Sequence, residues 1–247
     1  MKEHLLEAVK PYGETVMLAY GGGSIKTNGI YQEVMDVLKL AGKQVIEFSG
    51  IMPNPTYSKV MEGKKVVQEN QVDLILAVGG GSVIDTAKGV RMVISQNTDN
   101  IESLMGCEVL TAGRHIPFLA VPTTAGTGSE ATIAAVVTGE EHRKYAVSDL
   151  CLIPRYAVLD PTLTLSLPPA VTAQTGMDAL THAVEAYLSL YYNTRETRAL
   201  AESAVRDIFR YLPVACRDGQ SLTARERMLR ASFDAGCAFT RASVGNV

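Results

Sequence analysis

The sequence predicts an α/β protein in which a parallel sheet with crossover helices is followed by an all-helical part. Short apolar runs alternate with amphipathic stretches as far as Pro122. Two of these runs pass directly into glycine-rich turns, and nearly everything after Pro169 has the 3.6-residue period of helices. Alternation of this kind indicates a doubly wound parallel sheet with right-handed connections.

Four apolar runs are predicted to be buried strands, and each of the first three is followed by a helical pattern. The strands are residues 15–20, 43–50, 72–78 and 117–122. Two short extended segments follow within residues 145–161, and helical periods then cover 169–189, 195–211 and 222–240. Paired prolines in "LSLPPA" separate the alternating strand and helix patterns from the all-helical part of the sequence. We therefore expect an α/β domain over residues 1–164 and a helical domain over residues 165–247.

The composition is that of an ordinary globular protein. The 247 residues are 47% hydrophobic and 20% charged, with a net charge of -3, which gives no support for nucleic-acid or membrane-surface binding. The four cysteines are scattered without CxxC spacing, which argues against a disulfide framework and a thiolate zinc site. The N-terminus lacks the apolar core of a signal peptide. We expect a cytoplasmic protein that binds neither nucleic acid nor membranes.

The stretch "LAVGGGSVIDTAK" (76–88) is the first glycine-rich turn that could bind a ligand. A strand that ends in Gly80, Gly81 and Ser82 and continues as a helix exposes backbone N–H groups at a helix N-terminus. Those donors and the helix dipole favour a phosphate group, and a Cβ would hold the phosphate away. The alternative is a tight turn without a ligand.

The stretch "AYGGGSIKTNG" (19–29) is a second turn of the same kind. Both turns should face one crevice at the carboxyl ends of the strands. NAD-selective sites place an acidic side chain near the end of an early strand, and here Gly22, Gly23 and Ser24 occupy that place, with Lys26 nearby. Such a turn favours NADP over NAD, unless Lys26 is only a solvated loop residue.

The stretch "VPTTAGTGSEAT" (121–132) is rich in hydroxyl groups. Thr123, Thr124 and Thr127 could donate to a phosphate or a ribose. The alternative is a Ser/Thr-rich loop whose hydroxyls satisfy their own backbone.

Asp178 and His182 lie four residues apart in "GMDALTHAVEAY", which places both side chains on one helix face. A carboxylate beside an imidazole is half of a divalent-metal site, and a plain polar pair is the alternative. Ala179, Ala183 and Ala186 beside the pair predict that the carboxylate is buried, and a buried carboxylate needs a compensating group.

These segments together resemble the iron-containing (group III) alcohol dehydrogenases, and they follow one another in that family's order. They are "YGGGSIKTNG", "EFSGIMPNP", "AVGGGSVIDTAK", "PTTAGTGSEAT", "AVLDPTLTLSLPP" and "TAQTGMDALTHAVEAY". The first of them is most similar to the NADPH-using, butanol-dehydrogenase-like branch. The resemblance covers nearly the whole chain.

The resemblance implies a Rossmann-like nucleotide-binding domain over 1–164 and a partial helical, metal-binding domain over 165–247, with the overall fold of dehydroquinate synthase. It implies hydride transfer between NADP or NAD and a primary alcohol or aldehyde at a divalent metal, iron or zinc. The residues that match the family's cofactor contacts are Gly80, Gly81, Ser82, Asp85, Thr123, Thr124, Thr127 and Lys144. Asp178 and His182 match two of the metal ligands, which in the family are one Asp and three His.

The sequence departs from the family pattern at both ends. The family opens with a strand that this chain lacks, and its last two histidine ligands follow the point where this chain stops, at Val247. We therefore expect catalysis to be impaired. Two rival functions are a nucleotide-binding module without catalysis and a related NAD-dependent metal lyase. The resemblance leaves the alcohol or aldehyde unspecified and a homodimer open as the assembly.

Overall fold

The computed structural model describes residues 1–100, 102–104, 115–139, 143–190 and 192–243. The chain divides into two compact units. One comprises Met1–Val121 and Ile133–Val158, and the other comprises Pro122–Thr132 and the chain from Leu159 onward. The break in the family pattern at Val247, and Cys107 among the four cysteines, lie outside the described residues.

The first unit contains the strands β1 (Thr15–Tyr20), β2 (Gln44–Phe48), β3 (Leu74–Gly79), β4 (Phe118–Pro122) and β7 (Tyr156–Ala157). They form a five-stranded sheet in the order β2-β1-β3-β4-β7. Strand β1 pairs in parallel with both β2 and β3, and β4 pairs in parallel with β7. The predicted α/β class with a parallel sheet is therefore confirmed.

Helices follow the first three strands, as predicted: α3 (Ile30–Leu40) follows β1, α4 (Tyr57–Asn70) follows β2 and α5 (Gly81–Ser95) follows β3. In addition, α1 (Lys2–Val9) precedes β1, and the short α2 (Ser24–Thr27) lies between β1 and α3. All six residues of β3 are buried, as are the last five of β1. A parallel strand covered on both faces needs such a continuous apolar run, which is why the sequence shows runs rather than alternation.

The order of the strands creates one topological switch point. The chain leaves β1 through α3 to reach β2 on one side, then crosses through α4 to β3 on the other side. Ligands of doubly wound sheets bind outside the carboxyl ends of the two strands where this reversal occurs. The two glycine turns follow these two strands, β1 and β3.

A separate antiparallel pair joins β5 (Ala134–Thr138) to β6 (Lys144–Ser148). The sequence predicted extended segments where β6 and β7 lie, but it predicted no strand at β5. The five residues of β5 carry too weak a pattern by themselves, and the pairing with β6 decides their conformation.

Helices α4 and α5 pack together where a glycine of each helix faces a valine of the other. A Cβ on Gly63 of α4 would overlap Cγ2 of Val90 on α5, and a Cβ on Gly89 would lie 2.9 Å from Cγ2 of Val60 on α4. Both valines belong to the main core of this unit. The missing side chains let the two helices approach closely over the sheet.

Three long helices form most of the second unit: α6 (Pro169–Leu188), α7 (Arg195–Arg217) and α8 (Leu222–Ala242). Their shared core is built largely from alanines, including Ala179, Ala183 and Ala204. Helix α7 continues past its predicted end and contains Pro213. Burial of Leu212 and Ala215 on either side of the proline offsets the hydrogen bond that the proline cannot donate.

The segment Pro122–Thr132 packs against two of these helices. A Cβ on Gly126 would lie 2.7 Å from Cβ of Thr175 in α6, and one on Gly128 would lie 2.9 Å from Cα of Gly236 in α8. Gly128 also has a φ of +60°, which glycine adopts without strain. Among the described helices, none is long and apolar enough to cross a membrane.

Substitution of Gly63 by alanine tests the crossing of α4 and α5. Alanine is favoured over glycine inside a helix by about 0.5–1 kcal/mol. The new Cβ would overlap Val90 and lie 3.0 Å from Cζ of Phe48, and overpacking costs about 1–3 kcal/mol. We expect Gly63→Ala to lower the free energy of unfolding, measured by urea denaturation. The loss should shrink in a Val90→Ala background, and an equal loss in both backgrounds would contradict the proposed overlap.

Candidate functional site

The turn after β3 presents an uncapped helix N-terminus. Gly80 precedes α5 with extended backbone (φ -80°, ψ -173°), and no side chain caps the helix. The N–H groups of Val83 and Ile84 donate to the carbonyl of Gly80 at 3.0 and 3.2 Å. The N–H groups of Gly81 and Ser82 come before them in the first turn, where a helix offers no internal acceptor. This geometry suits a phosphate group.

The turn after β1 lies beside the first turn of α5. A Cβ on Gly21 would lie 3.8 Å from Cγ2 of Val83 and 3.4 Å from the carbonyl oxygen of Ile51. A Cβ on Gly22 or Gly23 would meet nothing within 4 Å, and Gly23 has a φ of +120°. Gly22 and Gly23 thus border open space, next to the helix N-terminus. The structure places both glycine turns at one edge of the sheet.

An acidic side chain that the sequence analysis missed lies at this edge. Glu47 of β2 accepts hydrogen bonds from the hydroxyl of Tyr20 and, at 2.8 Å, from the hydroxyl of Tyr31. It also pairs with the ammonium of Lys26 at 3.4 Å. Hydrogen bonds from Tyr20 and Tyr31 hold the pKa of Glu47 below its usual value. In the sequence, only the position of Glu47 near the end of the second predicted strand indicates that this residue could contact a ligand.

Asp85 and Lys88 of α5 hold the antiparallel pair in place. The N–H of Val136 donates to Oδ2 of Asp85 at 3.1 Å, and Nζ of the fully buried Lys88 donates to the carbonyl of Ala134 at 2.9 Å. The predicted site residue Asp85 therefore has a structural partner in β5. Lys144 lies at the exposed start of β6.

The hydroxyl-rich segment belongs to the second unit. Thr123, Thr124 and Thr127 are half-buried, and Oγ1 of Thr127 accepts a hydrogen bond from the N–H of Ser129 at 3.2 Å. The interpretation of a loop that satisfies its own backbone therefore applies to Thr127 at least. The close approach at Gly126 fixes the segment on α6.

Asp178 and His182 share one face of α6, as the spacing predicts. Nε2 of His182 lies 3.9 Å from Oδ1 of Asp178, and their side chains are 24% and 43% exposed. The imidazole ring packs on Phe239 of α8 with centroids 4.7 Å apart. The prediction that the carboxylate is buried was wrong, because the alanine stripe of α6 faces the helical core while Asp178 lies on the neighbouring face.

The pair supplies two donors for a divalent metal. A half-exposed carboxylate oxygen and an imidazole held by an aromatic ring fit such an ion chemically. Nδ1 of His182 is buried, without a hydrogen-bond partner among the described residues. Across the same part of the chain, no group of three His, Cys, Asp or Glu side chains could hold a metal. The described residues therefore offer two side-chain donors of the kind that bind such an ion.

Arg225 of α8, which the sequence analysis also missed, anchors the start of α6. Arg225 is 2% exposed, and its guanidinium donates to Oγ1 of Thr172 at 2.7 Å, to the carbonyl of Leu167 at 3.1 Å and to that of Gly219 at 2.9 Å. All five N–H groups of an arginine need acceptors when buried. These bonds tie the first turn of α6 and the segments that precede α6 and α8 to one side chain of α8 and so help to position the face of Asp178 and His182.

Substitution of Arg225 by methionine should destabilise the second unit. The change keeps much of the side-chain volume but leaves the hydroxyl of Thr172 and two carbonyls without their donors, at a cost of about 1–3 kcal/mol for an unsatisfied buried group. We expect a lower free energy of unfolding in urea. Arg227→Met is the matched control, since Arg227 is 53% exposed in its ion pair with Asp207, and it should change stability by less than about 0.5 kcal/mol. Equal effects would contradict the anchoring role.

Two cysteines should be unreactive thiols. Burial, with Asp149 nearby, raises the pKa of Cys151 to about 12, and burial, with Asp234 nearby, raises that of Cys237 to about 11. Thiolate is the reactive form, so alkylation by iodoacetamide at pH 8 should be slower than for a free cysteine by about a hundredfold or more. Mass spectrometry of the two peptides measures this, with urea-unfolded protein as the control. Rapid labelling of the folded protein would contradict the expected burial.

The chain matches one family of known proteins over most of its length. Residues 2–161 match the family described as iron-containing alcohol dehydrogenase, and residues 172–247 match the C-terminal part of the Fe-containing alcohol dehydrogenase family. The 1-propanol dehydrogenase PduQ of Citrobacter freundii is 40% identical over 224 residues, which cover 90% of this chain and 56% of that protein. The NADH-dependent butanol dehydrogenase A of Clostridium acetobutylicum is 34% identical over 92% of this chain and 58% of its own length.

The solved structure of an alcohol dehydrogenase from Oenococcus oeni has the same fold. It superimposes with a TM-score of 0.91 at 35% sequence identity, and the match covers 99% of this chain and 64% of that one. The chain thus spans less than two thirds of these relatives. With both family patterns matched in order along the chain and the fold shared, this protein belongs to the iron-containing alcohol dehydrogenase family.

Proposed function

We propose that this chain carries the cofactor site and half of the metal site of an enzyme that transfers hydride between NADP or NAD and a primary alcohol or aldehyde. The observation that carries the proposal is the pair of glycine turns at the β1/β3 switch point, one bordered by open space and the other by an uncapped helix N-terminus. A nicotinamide dinucleotide has the pyrophosphate that such a crevice favours. Family membership supports the reaction class.

The proposed cofactor contacts follow the order of the turns. Backbone N–H groups of Gly80, Gly81 and Ser82 bind the pyrophosphate, and Gly22, Gly23 and Ser24 approach the adenosine ribose. Asp85 lies one turn into α5, on the nicotinamide side. The further proposed contacts are Thr123, Thr124, Thr127 and Lys144. In this proposal residues 1–164 form the nucleotide-binding domain and residues 165–247 form the metal-binding domain.

NADP is the favoured nucleotide in this proposal. Lys26 follows the glycine turn at half exposure, where an ammonium could pair with a 2′-phosphate. Three relatives nevertheless carry names that describe them as NADH-dependent or NAD-dependent. The cluster around Glu47 bears directly on this choice.

Asp178 and His182 are the proposed metal ligands, for iron or zinc. A metal bound there would polarise the oxygen of an alcohol or aldehyde as a Lewis acid. The residues of the chain hold the ion: the carboxylate supplies charge, and the contact with Phe239 fixes the ring of His182. Two donors favour weak retention, so nucleotide binding without turnover is the second candidate function. The scattered cysteines support a cytoplasmic location.

Substitution of Gly22 by alanine tests the cofactor site. The new Cβ would meet no atom of the protein within 4 Å, so the fold should tolerate it, whereas a nucleotide that approaches the backbone would be held away. We expect the fluorescence of NADPH to change when the nucleotide binds to the unaltered chain. We expect Gly22→Ala to weaken that binding by about tenfold or more, because it removes one close polar contact between the nucleotide and the backbone. The unfolding midpoint should stay unchanged. Equal affinity for both proteins would refute the proposed contact.

Loading with Fe²⁺ or Zn²⁺ tests the metal site. We expect less than one equivalent of metal to remain on the purified chain after desalting, and His182→Ala to remove what remains, because two donors hold a divalent ion weakly. Gln174→Ala, at an exposed position on the same helix, is the control. One tightly held equivalent would contradict the two-donor site. Oxidation of NADPH on addition of butyraldehyde would separate the dehydrogenase from a lyase or a binding module.

A further inference from the structure

Four side chains form a closed cluster, called here the Glu47 cluster: Tyr20, Lys26, Tyr31 and Glu47. The ammonium of Lys26 lies over the rings of Tyr20 and Tyr31, 5.1 and 4.6 Å from their centroids. The two rings meet edge to face with centroids 5.7 Å apart. Both carboxylate oxygens of Glu47 accept hydrogen bonds within the cluster. No described site elsewhere in the first unit combines an ion pair with two cation–π contacts on one lysine.

The cluster lies beside the turn that follows β1. Tyr20 is the last residue of β1, and Lys26 is the third residue of α2, which begins at Ser24 directly after Gly23. Glu47 comes from β2, on the side of β1 away from β3. Since the pyrophosphate is assigned to the helix that follows β3, the cluster lies on the side of the adenosine ribose.

An acidic side chain at this place usually accepts hydrogen bonds from the ribose hydroxyls of NAD. Glu47 differs, because its two oxygens already accept from two tyrosines and from Lys26. Lys26 is held loosely by comparison: its contact with Glu47 is 3.4 Å long, and its side chain is 48% exposed. Lys26 can therefore turn to a phosphate, while the negative charge of Glu47 opposes both that movement and the phosphate itself.

We propose that Glu47 is the residue that sets the discrimination between NADPH and NADH: it restrains Lys26 and repels a 2′-phosphate, so that the chain accepts both nucleotides. This inference rests on the proposed function, since it requires a nicotinamide dinucleotide in the crevice. Tyr20 and Tyr31 position the carboxylate. NADH, which has no 2′-phosphate, is insensitive to the charge on Glu47.

The test is a fluorescence titration of the purified chain and its variants with NADPH and with NADH. Glu47→Gln removes the charge and keeps the shape of the side chain: the amide oxygen accepts from one tyrosine hydroxyl, and the NH₂ group donates to the oxygen of the other. We expect it to tighten NADPH binding by roughly twofold to fivefold, the range of exposed charge pairs, and to change NADH binding by less than about 1.5-fold. Lys26→Met should weaken NADPH binding by a similar factor and leave NADH binding unchanged. In the double variant the gain from Glu47→Gln should shrink, because part of it acts through Lys26.

Glu33→Gln and Lys39→Met are the matched controls, since both residues are exposed on α3 outside the cluster. They should leave the ratio of the two dissociation constants unchanged. Equal changes for NADPH and NADH in Glu47→Gln would show a structural role and overturn the inference, as would a ratio equal to that of the unaltered chain. Failure of the unaltered chain to bind either nucleotide would instead overturn the proposed function, and the inference with it.

Discussion

The parallel pairing of β1 with β2 on one side and β3 on the other is the constraint on which the cofactor edge depends. Each of β1 and β3 is buried almost throughout its length, so the sheet can form only with helices on both faces. Two crossover connections in opposite directions then leave one crevice between the ends of β1 and β3. Both glycine turns lie there because each continues one of these strands, and the close approach of Gly21 to Val83 joins them.

Small residues decide how closely the other elements approach. Gly63 and Gly89 let α4 and α5 cross over the sheet, and Gly126 and Gly128 let the hydroxyl-rich segment lie directly on α6 and α8. A side chain at any of these four positions would force backbone or core atoms apart. The same requirement explains the alanine stripe of α6, which packs against α7 and α8 and thereby turns Asp178 and His182 to a neighbouring, partly exposed face.

Polar groups of this protein are placed by partners that are distant in the sequence. Glu47 finds Tyr20 and Tyr31, Asp85 finds the backbone of β5, and Arg225 finds Thr172. In each case a charged side chain is compensated by hydrogen-bond donors or acceptors, and for the buried Arg225 the loss of these partners would leave buried polar groups unsatisfied. The bonds of Glu47 join β2 to β1 and α3, the bond of Asp85 joins α5 to β5, and the bond of Arg225 joins α8 to α6. These elements carry or adjoin the proposed functional residues.

The sequence by itself determined the class of fold, the four main strands, the long helices and both glycine turns, because local apolar periodicity and glycine placement reflect burial and backbone geometry directly. It also placed Asp178 and His182 on one helix face, since their spacing is a property of the helix alone. Only the tertiary structure decided that β5 is a strand, that Asp178 is half-exposed beside a buried alanine stripe, and that Glu47 meets Lys26 and two tyrosines. These features depend on neighbours across the sheet or between helices, and such neighbours leave no periodic signal in a single sequence.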